Sequence, residues 1–217
     1  SPMPWRRFIR CNRRVIFGTH QRFCIQQRLS IMQKTAILFF ILSLAVWGNA
    51  QTVADTKSAP MPTTPANWAR LTDSTYTLRF PATWNVDKSG LLGSRFFLFA
   101  PLDSNDTFRE NFNLIINDMS IYPELSLEYM ADGARQQVES MIQDCKVQEF
   151  RIVNQEDNSK YYIFEYSGKQ GKFDLHWKQV YFMVNNQFYV LTFTAEAPQY
   201  ERYLPLADRI FASFTFK

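Results

Sequence analysis

Two runs of alternating positions dominate the chain between Lys172 and Glu196, and they meet at Asn185-Asn186. The second run, Phe188-Tyr189-Val190-Leu191-Thr192-Phe193-Thr194, is built from the β-branched and aromatic types that suit a pleated, packed surface. Asparagine tolerates the positive φ angles of a two-residue hairpin turn, so the pattern predicts that the two runs pair directly. Tyr189, Leu191 and Phe193 fall on one face, Phe188 and Val190 on the other. A strand apolar on both faces needs cover on both, which predicts a sheet with helices on either side.

The flanking patterns supply that cover. Thr75 to Phe80 alternates with Tyr76, Leu78 and Phe80 on one face and stops at Pro81. Trp84-Asn85-Val86 forms a short further piece, Arg95 to Ala100 a dense aromatic strand, and Asn111 to Asn117 another. From Ser126 the period changes: Leu127, Met130, Ala131, Ala134, Val138, Met141 and Ile142 lie on one helical stripe. Ser126 stands where an N-cap belongs, Glu128 suits the positive end of the helix, and Gly133 points to close packing against the sheet. Lys146 to Asn154 and Lys160 to Ser167 predict a second hairpin about Glu156-Asp157-Asn158-Ser159, with Gly168 and Gly171 turning the chain into the first. Pro198 opens a last helix carrying Tyr200, Tyr203, Leu204, Ala207, Ile210, Phe211 and Phe214, which Pro205 should kink or split. The order is βββαββββα. The class is α+β: an antiparallel sheet flanked by helices on both faces, an α/β/α sandwich.

Charge changes the picture only once it is located. The net charge of +4 suggests polyanion binding, but residues 1–50 hold eight basic groups and no acidic one. The remaining 16 basic and 20 acidic groups leave residues 51–217 at net −4, without the clustered positive face that nucleic acid requires. Within 1–50, Met32-Gln33-Lys34, the apolar run Ala36 to Trp47 and the small residues Gly48 and Ala50 make residues 32–50 a secretory signal peptide cleaved after Ala50. A permanent anchor is the alternative reading of a run this short, and cleavage leaves no transmembrane span. Residues 1–31 are basic and unpatterned, and read as upstream sequence before Met32 or as an organelle transit segment. Residues 51–65, with Pro60, Pro62 and Pro65, form a Pro/Thr/Ser-rich tether. The folded domain is therefore 66–217, and its place is outside the cytoplasm, periplasmic or secreted, with an organelle lumen such as the thylakoid as the alternative.

Candidate chemistry is sparse. Cys145 is the one cysteine outside the leader, which rules out a disulfide or a cysteine zinc site within 51–217 and reads as a small core residue. His176 is the one histidine there, and alternation puts it beside Lys178. A hydrolase would need it as base next to a nucleophile, but no Gly-x-Ser-x-Gly elbow, phosphate-cradling glycine loop or His-Glu-x-x-His motif accompanies it. Asp103, Asp106, Glu110 and Asp118 are hard-cation ligand types without calcium-loop spacing, so a solvated loop explains them. Asn105-Asp106-Thr107 matches a glycosylation acceptor. Asn111 and Asn113 share a strand face near Arg109. With His176, these three are the candidate ligand-contacting residues.

The element order, Tyr76-Thr77-Leu78-Arg79-Phe80-Pro81-Ala82-Thr83-Trp84, the Phe112-Asn113 strand, Tyr189-Val190-Leu191-Thr192 and the closing Phe211-Ala212-Ser213-Phe214 resemble the PsbP-like superfamily. That grouping includes the photosystem II extrinsic protein PsbP, bacterial DcrB-like periplasmic proteins and a nuclear Ran-binding protein. The likeness covers nearly all of 66–217 and rests on structural motifs. It implies an antiparallel sheet between helices and little about activity. Its photosystem branch implies calcium or manganese, although no His-and-carboxylate motif aligns; the residues themselves predict no cofactor and no metal. The small exported bacterial members are the nearer match. The expected function is a non-catalytic exported binding or accessory module whose protein partner belongs to an envelope or membrane-associated complex; the alternative is a small secreted hydrolase using His176.

Overall fold

The computed structural model describes residues 67–102 and 107–217. The leader, the signal-like segment, the tether, Asp103, Asn105 and Asp106 lie outside the described residues. In chain order the elements are β1 (Trp68–Thr72), β2 (Tyr76–Pro81), β3 (Asn85–Asp87), β4 (Phe96–Phe99), β5 (Asn111–Asp118), α1 (Leu127–Met141), β6 (Gln143–Asn154), β7 (Lys160–Gln170), β8 (Phe173–Val184), β9 (Gln187–Glu196), α2 (Tyr200–Ala212) and β10 (Thr215–Phe216). The strands form two antiparallel sheets, β1-β2-β10 and β3-β4-β5-β9-β8-β7-β6. The α+β class therefore holds, but the single sheet and the order βββαββββα need correction. Trp68–Thr72 and Thr215–Phe216 are strands because β2 supplies their backbone partners from either side.

The hairpin lies where its pattern put it. Asn185 and Asn186 take φ of 51° and 57°, the left-handed pair that a tight turn between twisted strands requires. β9 occupies the middle of the seven-stranded sheet. Its residues Tyr189, Leu191, Phe193 and Ala195 share a core with Tyr200, Leu206, Ala207 and Ile210 of α2 and with Tyr76, Leu78 and Phe80 of β2. Burying each such aromatic or aliphatic side chain contributes about 1.5–3 kcal/mol. That face is thus covered by a helix and by the smaller sheet together. At the other end of the large sheet α1 lies against β6, β7 and β8, with the Arg135 guanidinium 5.3 Å from the Phe150 ring. Ser126 Oγ accepts from the Tyr129 N–H at 3.2 Å, a cap worth about 1 kcal/mol.

Several local expectations change. Met141 is exposed at the end of α1, while Ile142, just past the helix, is buried. α2 runs unbroken through Pro205. It ends at Ala212, where Ser213 Oγ accepts from the Arg79 N–H at 2.8 Å and donates to the Arg79 carbonyl at 3.0 Å. Phe214 therefore leaves the helix and stacks 5.5 Å from Tyr76. Gly171, with φ of 61°, makes the turn into β8, but Gly168 sits inside β7. A Cβ at Gly168 would come within 2.3 Å of Ile142 Cγ2 and 2.8 Å of the Gln143 carbonyl, so its role is close approach to the first turn of β6. β6 itself is the far edge strand, twelve residues long, with register shifts after Gln143 and after Val147.

Candidate functional site

Strand register assigns each candidate to a face. Across β4, β5, β9 and β8, Phe99 opposes Asn111, Asn111 opposes Thr194, and Thr194 opposes Trp177. The next row on the same face runs Phe97, Asn113, Thr192 and Gln179. The centre of the sheet therefore carries a block of amides and hydroxyls with Phe97 and Phe99 on one side and Trp177 on the other. Asn111, Asn113, Gln179, Thr192 and Thr194 are all buried, between 1% and 7% exposed.

Polar groups in such a place need partners, because an unpaired buried amide or hydroxyl costs about 1–3 kcal/mol. Part of the block is paired. The Tyr181 hydroxyl donates to Gln179 Oε1, and Gln179 Nε2 donates to Thr192 Oγ1 at 3.2 Å. Burial pushes the Tyr181 hydroxyl pKa well up, so it stays protonated and a donor. Asn111 Nδ2 donates to the Arg109 carbonyl at 3.0 Å. Among the described residues, the Asn113 amide and the Thr194 hydroxyl have no side-chain hydrogen bond. Arg109 is half-buried and precedes β5, with its carbonyl bonded to Asn111. Its Nε donates to the Ala100 carbonyl at 3.0 Å and its guanidinium carbon stands 5.3 Å from the Phe99 ring centre.

His176 belongs to the opposite face, where alternation put it with Lys178. Its ring stacks on Tyr200, the first residue of α2, at 3.5 Å and 8°. Its Nε2 is 3.1 Å from Glu165 Oε1, an ion-pair separation outside hydrogen-bond angles. The neighbouring imidazole, against the opposing effect of burial, holds the Glu165 carboxyl below its ordinary range. Burial, and then the Glu165 charge, push the Tyr200 hydroxyl far up. Lys178 Nζ is 2.7 Å from Asp208 Oδ1.

Arg109, Asn111 and Asn113 are thus brought together, while His176 is separated from them by the thickness of the sheet. Sequence reasoning missed Gln179, Thr192 and Thr194. Thr192 and Thr194 lie at alternate positions of β9, which was the available signal, but only the register reveals that they face the two asparagines. Among the described residues no group of three or more His, Cys, Asp or Glu side chains is placed to hold a metal ion.

No family model matches the chain, and no curated protein matches it in sequence. Solved structures are similar to it. The solution structure of the cyanobacterial PsbP protein CyanoP from Synechocystis sp. PCC 6803 superposes with a TM-score of 0.53 at 12% identity, covering 76% of this chain and 99% of that one. LpqN, involved in cell envelope biogenesis of Mycobacterium tuberculosis, gives 0.49 at 10% identity over 70% of this chain and 91% of its own. PA94 of Pseudomonas aeruginosa, a protein of unknown function, gives 0.47 at 15% identity over 67% and 92%. At such identities the likeness is one of fold, and the chain has a PsbP-like fold.

Proposed function

We propose that the chain is a non-catalytic binding or accessory module, exported to a periplasm or the cell exterior, that assists an envelope or membrane-associated complex through its β4-β5-β9 face. The observation that carries this reading is the polar block: an amide and a hydroxyl recessed among aromatics, with bonding capacity that the described protein leaves unused. Such groups keep donors and acceptors that a partner's atoms can match. The hydrolase reading finds no comparable support. A base must present a ring nitrogen to a nucleophile, whereas the His176 Nε2 looks at a carboxylate and its ring is covered by Tyr200.

The exported setting rests on the signal-like segment 32–50. Among the described residues no helix is long and apolar enough to cross a membrane. A photoreactive side chain at Thr107, exposed and two residues before Arg109, should form a defined adduct with a subunit of a membrane-associated complex in intact envelopes. The same group at Ser159, on the distant β6-β7 turn, should not. Absence of any adduct from Thr107, or equal adducts from both, would overturn the reading.

A further inference from the structure

Two like charges face each other on the smaller sheet. Arg70 of β1 is registered directly opposite Arg79 of β2, and both are exposed. Directly opposed like charges destabilise a strand pair. Nothing on the protein relieves this one: among the described residues neither guanidinium makes an ion pair or a side-chain hydrogen bond. Alternation puts Trp68 and Thr72 on the same face as Arg70, because Leu71, between Arg70 and Thr72, is buried in the core. A third guanidinium stands beside this face. Arg209, exposed in the last turn of α2, lies 4.8 Å from the Trp68 ring centre and also makes no ion pair among the described residues.

Neighbouring acids do not offset the cluster. Residues 67–82 and 199–217, which hold β1, β2, α2 and β10, carry Arg70, Arg79, Arg202, Arg209 and Lys217 against Asp73, Glu201 and Asp208. Residues 83–198 carry ten basic and sixteen acidic side chains. Asp208 stands 2.7 Å from Lys178 Nζ, and Glu201 lies in the first turn of α2, at the end away from Arg209. Asp73 lies in the β1–β2 turn, where its Oδ1 accepts from Ser74 and Thr75. A domain that is acidic over most of its length thus exposes three unpaired guanidiniums beside an indole. The inner surface of the small sheet packs Leu71, Leu78 and Phe80 in one core with Phe112 and Leu114 of β5. The cluster therefore points away from the large sheet, whose far face carries Asn111 and Asn113.

A guanidinium fork matches the oxygens of a phosphate, and tryptophan suits the boundary between water and hydrocarbon. An anionic membrane attracts clustered basic side chains. Its phosphates move laterally, so two opposed guanidiniums can each take one without a partner protein whose acids match their spacing. We propose that the outer face of the β1-β2-β10 sheet docks on an anionic lipid surface, with Arg70, Arg79 and Arg209 on headgroup phosphates and Trp68 at headgroup level. This second surface is separate from the β4-β5-β9 face and does not rest on the reading of that face.

The test uses the full chain with a photoreactive side chain at the exposed Thr72. It is irradiated with vesicles of phosphatidylglycerol and phosphatidylcholine in equal parts, or of phosphatidylcholine alone, and adducts are identified by mass. Thr72 should gain a phospholipid adduct several-fold more from the mixed vesicles, while the same group at Ser159, on the β6-β7 turn, should gain none. Residues 1–50 are themselves basic, so the decisive comparison keeps them constant. Arg70→Gln together with Arg79→Gln should lower the adduct about fivefold per charge removed. Their thermal unfolding should come no earlier than the parent's, since a like-charge pair is relieved. Arg209→Gln, which leaves the sheet untouched, should lower the adduct about fivefold by itself. No lipid adduct at Thr72, equal adducts from both vesicles, equal adducts at Ser159, or a yield unchanged by the arginine replacements would each overturn the proposal. A protein adduct from Thr72 in intact envelopes, with no lipid adduct, would make the face a protein interface and overturn it equally.

Discussion

On the α2 face of the central hairpin, His176 has Tyr200 flat against its ring at 3.5 Å and Glu165 at its Nε2. Through the same sheet, on the face beneath Phe97 and Phe99, the Asn113 amide has no such neighbour. The two clusters are opposite in chemical reputation, imidazole, carboxylate and phenol against amides and hydroxyls, and the amides and hydroxyls are more deeply buried than His176 and Glu165. The catalytic-looking set is packed upon itself at the start of α2, by ring stacking and an ion-pair separation rather than by hydrogen bonds. The bland set is knit in part by side-chain hydrogen bonds, through Gln179 and Asn111. The presence of a reactive side chain is therefore no guide by itself to chemistry at this sheet.

Removing the apolar support of the engaged face should have the largest effect. Phe193, fully buried and 5.8 Å from Tyr200, packs beneath the His176 cluster. Phe193→Ala should cost about 3–5 kcal/mol in urea denaturation. A loss below about 1 kcal/mol would mean that the face relaxes into the cavity and that the His176 cluster is less firmly set than described.

A middle-sized effect separates the paired part of the polar block from its unpaired part. Gln179→Ala strands the Tyr181 hydroxyl and the Thr192 oxygen, and should cost about 1–3 kcal/mol. The combined replacement Gln179→Leu, Tyr181→Phe and Thr192→Val removes every partner together and should fold nearly as stably as the parent. Asn113→Ala breaks no side-chain hydrogen bond and should cost less than Gln179→Ala. Equal costs for Gln179→Ala and Asn113→Ala would erase the distinction between the two halves.

The smallest expected effect concerns pH. The Glu165 carboxyl is lowered in the folded state, principally by His176. Its contribution to stability is therefore complete above the ordinary carboxylate pKa and disappears as pH falls through the lower folded value. His176→Ala removes the chief cause, so the acid limb of its stability curve should be shallower than the parent's. Parallel limbs between pH 7 and strongly acidic solution would show that the contact is geometric only.

Much of this was readable from the chain because it is locally encoded. Asn185-Asn186 carries its own turn preference, and the stripe from Leu127 to Val138 carries its own period. The strands β1 and β10 were not readable, since five and two residues become strands only when β2, distant from Thr215 in sequence, offers its edges. Pro205 misled for a related reason: α2 is held along its length by a core that outweighs one lost backbone bond. The polar block was half visible. Alternation put Asn111 and Asn113 on one face, but strand register is a long-range property, and a shift of one residue would have turned Thr192 and Thr194 away.

The seven-stranded sheet ends on β6, whose outer backbone groups face no further strand of the described chain. Left flat, a twelve-residue edge is a template on which identical molecules can crystallise into fibres. Here Asp144 adopts φ of 54°, the register slips twice, and Lys146, Glu149 and Arg151 place alternating charges along the margin. Gly168 makes room for the first of these irregularities. The margin is thus a poor template for strand pairing with a second copy.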